Sequence, residues 1–156
     1  MPDRTTLELH EFLPYRLSVL ANRSSDTLAR EYSQRFGLGV TEWRVMAVLG
    51  RYPGLSANEV AQRTAMDKVA VSRAVARLLA ADRLRREFAD HDRRRSVLRL
   101  SAAGQAIYEQ IVPLALGYEK LILAGMSRSE RELLFRLLDR LDELELRAEH
   151  SAAHGA

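Results

Sequence analysis

The feature that most constrains this chain is a dense run of structural punctuation between residues 56 and 100. Ser56-Ala-Asn-Glu59 has the form of a capping box. In such a box a serine oxygen accepts from the backbone N–H three residues on, and the glutamate there returns the bond. It opens a short helix from Ala57 to about Thr64. Met66-Asp67 is a tight connection, and Asp67 can cap the next helix, Lys68 to Ala81. Val71, Val75, Leu78 and Leu79 recur at helical spacing and form a core stripe, while Lys68, Ala70, Ser72, Arg73 and Arg77 fall largely outside it. After Asp82 the period changes. Leu84–Phe88 and Ser96–Leu100 read as two strands flanking a charged tip, Ala89 to Arg95. A helix-turn-helix followed directly by a basic hairpin is a winged helix.

The flanking segments read as helices. A short turn precedes Pro14, which is tolerated in the first turn of a helix. That helix runs to about Phe36 and stops at Gly37. Thr41 can cap a second helix through Trp43, Met46, Val48 and Leu49 to Tyr52, where Pro53-Gly54 breaks the chain. Ser101 caps a long helix through Tyr108, Ile111, Leu114 and Leu121, with Pro113 as a kink. Ser127-Arg-Ser-Glu130 is a second capping box and starts a last helix with Leu134, Leu137, Leu138, Leu141 and Leu144 on one face. The fold class is mostly α with a small β-hairpin wing. The expected division is an N-terminal dimerisation helix at 1–36, a winged helix-turn-helix at 37–101, C-terminal dimerisation helices at 102–150 and a fraying tail at 151–156. The first and last helices lie at opposite ends of the sequence with apolar faces to bury. A second copy of the chain is the economical partner.

Charge agrees with this division. The 156 residues carry a net charge of only +3. From Lys68 to Arg99, however, there are 10 basic and 4 acidic residues, a net of +6, which leaves the remainder at −3. A basic block on a slightly acidic body is the footprint of a polyanion-binding surface; a solvated arginine-rich face is the alternative. The absence of cysteine excludes disulfides, thiolate metal sites and cysteine-based redox sensing. There is no glycine-rich phosphate loop. The histidines, His10, His91, His150 and His154, form no metal-ligand pattern outside the tail. No enzyme, metal or cofactor is therefore expected. No apolar run reaches the roughly 18 residues of a membrane span. Asp3, Glu8 and Glu11 do not suit a signal peptide, so the cytoplasm is the expected location and a membrane is not an expected partner.

Double-stranded DNA is the polyanion that this arrangement fits. A helix of thirteen residues is a rod of roughly 20 Å, and a major groove about 12 Å wide admits it. Small residues between Lys68, Ser72 and Arg73 let it approach closely. Arg73 can fork onto guanine and Ser72 can bond a base edge or a phosphate, while Arg77 is better placed for a phosphate. The hairpin tip holds Asp92-Arg93-Arg94-Arg95. A narrow minor groove attracts inserted arginines. Arg94 is the candidate for insertion, with Asp92 as its bidentate brace, and Arg93 and Arg95 are open to phosphate contacts alone.

The chain resembles the MarR family of bacterial regulators from about Leu13 to Leu146. The resemblance is carried by Glu42-Trp-Arg-Val-Met-Ala-Val-Leu49, Leu55-Ser-Ala-Asn-Glu-Val-Ala61, Asp67-Lys-Val-Ala-Val-Ser-Arg73, Asp92-Arg-Arg94 and Leu100-Ser-Ala-Ala-Gly104. It implies a homodimer with interlocked terminal helices, recognition helices in successive major grooves of a pseudo-palindromic operator, and wings in the flanking minor grooves. Ser72, Arg73 and Arg94 match its DNA-contacting positions, and Asp92 its bracing position. Repression is the family default.

The segment His10-Glu-Phe-Leu-Pro-Tyr-Arg-Leu-Ser18 suggests what is sensed. Arg16 is a cation near the start of an otherwise apolar helix, beside Phe12 and Tyr15, with Trp43 and Met46 as candidates for the facing wall. An arginine fork with an aromatic wall suits an aromatic carboxylate. The segment also resembles the family branch that controls breakdown of plant-derived aromatic acids, in which the matching arginine binds the carboxylate. His10 could bond a ring hydroxyl. Against these stand plainer readings: Arg16 in an interfacial ion pair, His10 on the surface, Trp43 in the core. The expected function is a repressor of an aromatic-acid catabolic operon, released from its operator by an aromatic carboxylate or its thioester. The alternative is a constitutive repressor or architectural DNA-binding protein with no small-molecule ligand.

Overall fold

A computed structural model describes residues 6–89 and 92–153, with the side chains of 89 and 92–95 left outside that description. Six helices and two strands follow in the order α1 (Leu13–Phe36), α2 (Val40–Arg51), α3 (Ala57–Thr64), α4 (Lys68–Ala80), β1 (Leu84–Ala89), β2 (Asp92–Leu100), α5 (Ala102–Leu123) and α6 (Arg128–Ala153). They fall into two compact units, Met1–Ala115 and Leu116–Ala156.

The ends of the elements follow from local chemistry. Glu11 and Phe12 donate to the carbonyls of Glu8 and Leu9 in a turn ahead of α1, which has Pro14 in its first turn. Gly37 ends α1 at φ 63°, in the left-handed region where glycine carries no steric cost. Both bonds of the Ser56/Glu59 box form, at 2.7 and 3.2 Å. The Asp67 carboxylate accepts from the Ala70 N–H at 2.9 Å, starting α4. Ser101 Oγ accepts from the Gly104 N–H and itself donates to the Asp82 carbonyl, so one hydroxyl both starts α5 and ties it to the turn before the hairpin. Gly104 is required there. A Cβ on it would lie 1.9 Å from the Arg83 carbonyl oxygen, an overlap no side chain tolerates.

The first unit contains the core. Trp43 of α2 lies between Tyr32 of α1 and Tyr108 of α5, with ring centroids at 5.8 and 6.0 Å in tilted geometry. Gly50 gives the Tyr108 ring its place, because a Cβ there would come within 2.4 Å of it. Val45, Met46 and Leu49 from α2, Val60 from α3, Val71 and Leu78 from α4, and Leu84 and Leu98 from the hairpin are buried around this aromatic stack. The hairpin is antiparallel, pairing Leu84 with Leu100 and Arg86 with Leu98, with an irregularity after Phe88. Leu55 bridges to Leu98 and adds a single residue of sheet on its other side. In the second unit, α6 has no buried residue, and its capping box bonds Ser127 N–H to Glu130 at 2.7 Å. The bonds from Ser127 hold the Glu130 carboxyl below its usual range.

Three expectations are corrected. Thr41 caps nothing: α2 begins at Val40 with Gly39 before it, and no side chain bonds that end. The strands reach Ala89 and Asp92, so the backbone of Asp92 to Arg95 belongs to β2 and not to a loop. The tail expected to fray from residue 151 is helical to Ala153, where Ala152 and Ala153 have the highest helix propensity of any residue.

Candidate functional site

On α4 the core side and the outer side separate cleanly. Val71, Ala74, Val75 and Leu78 are buried. Lys68, Val69, Ser72, Arg73, Ala76 and Arg77 are exposed, recurring in pairs every four residues along one face. Lys68 and Arg73 make no ion pair with the described residues. Val69 is the surprise on this face: a large apolar side chain, 56% exposed, next to the cations. The sequence signal was available, since Val69 falls off the core stripe. An apolar side chain there is suited to a thymine methyl in the major groove.

The basic block is not uniformly free. Arg83 donates to the Phe36 carbonyl and so closes the end of α1. Glu87 holds both Arg99, at 2.8 Å, and Arg85, at 3.2 Å. Arg86 donates to Ser96 Oγ at 3.0 Å across the hairpin. Arg77 reaches Glu42 of α2 at 3.3 Å, yet its side chain is still 67% exposed and keeps donors for a phosphate. Several of the cations that shape the charge count therefore brace the winged helix. Lys68 and Arg73 are left as the uncommitted cations of α4. The side chains of Asp92, Arg93, Arg94 and Arg95 lie outside the described residues. Their backbone is in β2, at the far end of the hairpin from the core.

A second site lies on α1. An open groove of about 400 Å³ is lined by His10, Tyr15, Arg16, Val19, Leu20 and Arg23. It brings together three residues singled out from sequence, His10, Tyr15 and Arg16, and adds Arg23, which sequence reasoning missed. His10 is exposed, with its ring nitrogens 3.5 Å from a Glu8 carboxylate oxygen and 3.8 Å from one of Glu11. Arg16 is exposed and has no carboxylate partner among the described residues. Trp43 and Met46 do not join this group. Met46 is fully buried and Trp43 is closed in by two tyrosines, so neither offers a wall to the groove. Their places are fixed by the inward face of α2, which they share with Val45 and Leu49. Among the described residues no cluster of His, Asp and Glu could hold a metal ion, and no helix is long and apolar enough to cross a membrane.

The comparisons with known proteins agree with this geometry. The MarR family model matches residues 36–95, which span the end of α1 to the arginine run. A transcriptional regulator of the helix-turn-helix type, BilQ from Clostridium symbiosum, is 26% identical over 108 residues, covering 69% of this chain and 75% of its own. A MarR/EmrR family transcriptional regulator from Acinetobacter sp. ADP1 superposes with a TM-score of 0.83 at 28% identity, over 90% of this chain and 99% of that one. The fold is shared also by BpsR of Bordetella bronchiseptica, whose DNA binding is regulated by 6-hydroxynicotinic acid (TM-score 0.74, 23% identity, 88% and 97% covered). These relatives are regulators and not enzymes. With its winged helix built as described, the chain is similar to transcriptional regulators of the MarR family, by the family model over residues 36–95 and by the fold over most of its length.

Proposed function

We propose that this protein is a homodimeric repressor that reads a pseudo-palindromic operator and is released from it by a small aromatic carboxylate or its thioester. The observation that carries the DNA-reading part is the outer face of α4, where Lys68, Ser72 and Arg73 are exposed and Lys68 and Arg73 keep their charges uncompensated. In this reading Arg73 forks onto a guanine, Ser72 bonds a base or phosphate, and Lys68 and Arg77 hold the backbone. Arg94 enters the minor groove with Asp92 as its brace, and Arg93 and Arg95 flank it.

The dimer rests on apolar surface. Leu13 and Leu17 of α1 and Leu133, Leu137 and Leu144 of α6 are exposed in the single chain. A second copy covers them and sets the two α4 helices at a spacing near one helical turn of DNA, about 34 Å. The ligand reading rests on the α1 groove, where Arg16 offers a fork beside Tyr15 and His10. That a protein of the same fold is regulated by a hydroxylated heteroaromatic acid supports this class. A ligand that prefers another spacing of the α4 helices weakens DNA binding by no more than its differential affinity for the two states.

The test has two steps. An operator is selected from random duplex DNA, and its affinity is measured by gel shift for the wild type and Arg94→Ala. A loss of more than about 1 kcal/mol is expected, and an unchanged affinity removes the wing from the account. Benzoates, hydroxycinnamates and their coenzyme A thioesters are then added to the complex. Release by one of them, abolished by Arg16→Ala, is the expected result; no release by any overturns the ligand part.

A further inference from the structure

We infer that the α1 groove takes a dianion, an aromatic acid with a second anionic group at the end opposite its carboxylate. This rests on the reading of Arg16 as the carboxylate receptor and adds a residue to it. Arg16 and Arg23 both line the groove. They are seven residues apart, two helical turns and roughly 10.5 Å along the axis, which puts them on one face. Val19 and Leu20 fill the turn between them, with Leu20 56% exposed. The groove is thus a strip with an apolar floor and a guanidinium at either end.

Neither guanidinium is neutralised. Arg77, Arg85, Arg99 and Arg128 all find a carboxylate in the same chain. Arg16 and Arg23 find none among the described residues. The nearby carboxylates of Glu8 and Glu11 face His10 instead. Asp26 follows Arg23 by three residues, yet it forms no ion pair with it. A monocarboxylate satisfies one fork and leaves the other facing an apolar floor. A rigid diacid satisfies both while its ring lies over Val19 and Leu20. Guanidinium forks bind planar oxyanions in bidentate fashion, so the second anion is best a carboxylate as well.

The experiment is calorimetric titration of the full-length protein with two probes of one skeleton, cinnamate and 4-carboxycinnamate. The wild type, Arg16→Gln and Arg23→Gln are compared. The expected result is that the wild type binds the diacid at least about tenfold tighter than the monoacid, as one added charge-assisted bond provides. Arg23→Gln removes that preference and leaves the monoacid affinity alone, while Arg16→Gln weakens both probes. Equal affinity for the two probes, untouched by Arg23→Gln, overturns the dianion and spares the carboxylate site. Binding of neither probe overturns both. Dissociation of the dimer by Arg23→Gln in sedimentation, with the diacid preference intact, also overturns it and moves Arg23 to the subunit interface.

Discussion

The winged helix and α6 are built from similar residues and reach opposite results. α2 has 12 residues and buries four of them, Trp43, Val45, Met46 and Leu49. α6 has 26 residues, seven of them leucines, and buries none. Both open cleanly, and α6 has the better start, since its Ser127/Glu130 box forms while α2 has no side-chain cap at all. Local helix signals therefore do not distinguish them. Tertiary burial does, and most helical stability in proteins comes from packing an apolar face. The DNA-reading part is finished within one chain. α6 presents an apolar face, and none of its residues is buried among the described residues.

That contrast is broken most directly by truncating one large side chain in each region. Trp43→Ala removes the centre of the Tyr32–Trp43–Tyr108 stack, and a loss of about 3–5 kcal/mol is expected in urea denaturation, at every protein concentration. Leu137→Ala, on the exposed face of α6, is expected to cost about 1.5–3 kcal/mol per buried side chain. It should do so only where the dimer is populated, so its effect appears in sedimentation as weaker association and in melting as a concentration-dependent Tm. A Leu137→Ala protein that is as dimeric as the wild type would remove α6 from the interface. A Trp43→Ala protein of unchanged stability would show that the stack is decoration.

The contrast also explains what the sequence disclosed. The caps at Ser56, Asp67, Ser101 and Ser127 and the stop at Gly37 were legible because each is a bond between a side chain and nearby backbone, or a backbone angle that favours glycine. The outer face of α4 was legible because a 13-residue helix with one apolar stripe leaves only one place for its cations. Trp43 was not resolved between core and ligand wall, since an inward-facing aromatic at helical spacing looks the same for both. Burial decided it, through Tyr108, some sixty residues along the chain. Arg23 was missed because one arginine on an exposed helix carries no signal until the residues two turns before it are seen to share its groove. The bracing of Arg85 and Arg99 by Glu87 is a cross-strand fact, invisible before the register is known.

A smaller effect sharpens the comparison at the helix starts. Ser56→Ala and Ser127→Ala delete the same box, and each is expected to lose about 1 kcal/mol. The Ser56 loss should lower the stability of the reading unit and, by fraying the start of α3, loosen the turn that presents α4. The Ser127 loss should leave operator affinity per dimer unchanged. Guanidinium denaturation and gel-shift titration on both variants separate the outcomes. A drop in operator affinity with Ser127→Ala alone would reverse the assignment of roles.

The smallest effect expected is on pH. Tyr32 is buried against Trp43, and burial pushes its phenol above the ordinary value near 10, with Asp26 adding to the shift and the Arg44 guanidinium opposing it. A raised folded value means that the folded chain holds the proton more tightly than the unfolded one. The associated stability is fully present below about pH 10 and is lost as pH rises through the folded value. The alkaline limb of the stability curve should therefore fall above that point in the wild type and fall less in Tyr32→Phe, which has no proton to lose. Urea midpoints measured between neutral pH and the alkaline limit test this. Limbs that superpose would mean that the phenolate is accommodated in the folded chain, by Arg44 or by water, and that the core of the reading unit is open at α1. That would erase the distinction between a closed winged helix and an unfinished α6 at the place where the two regions contrast most sharply.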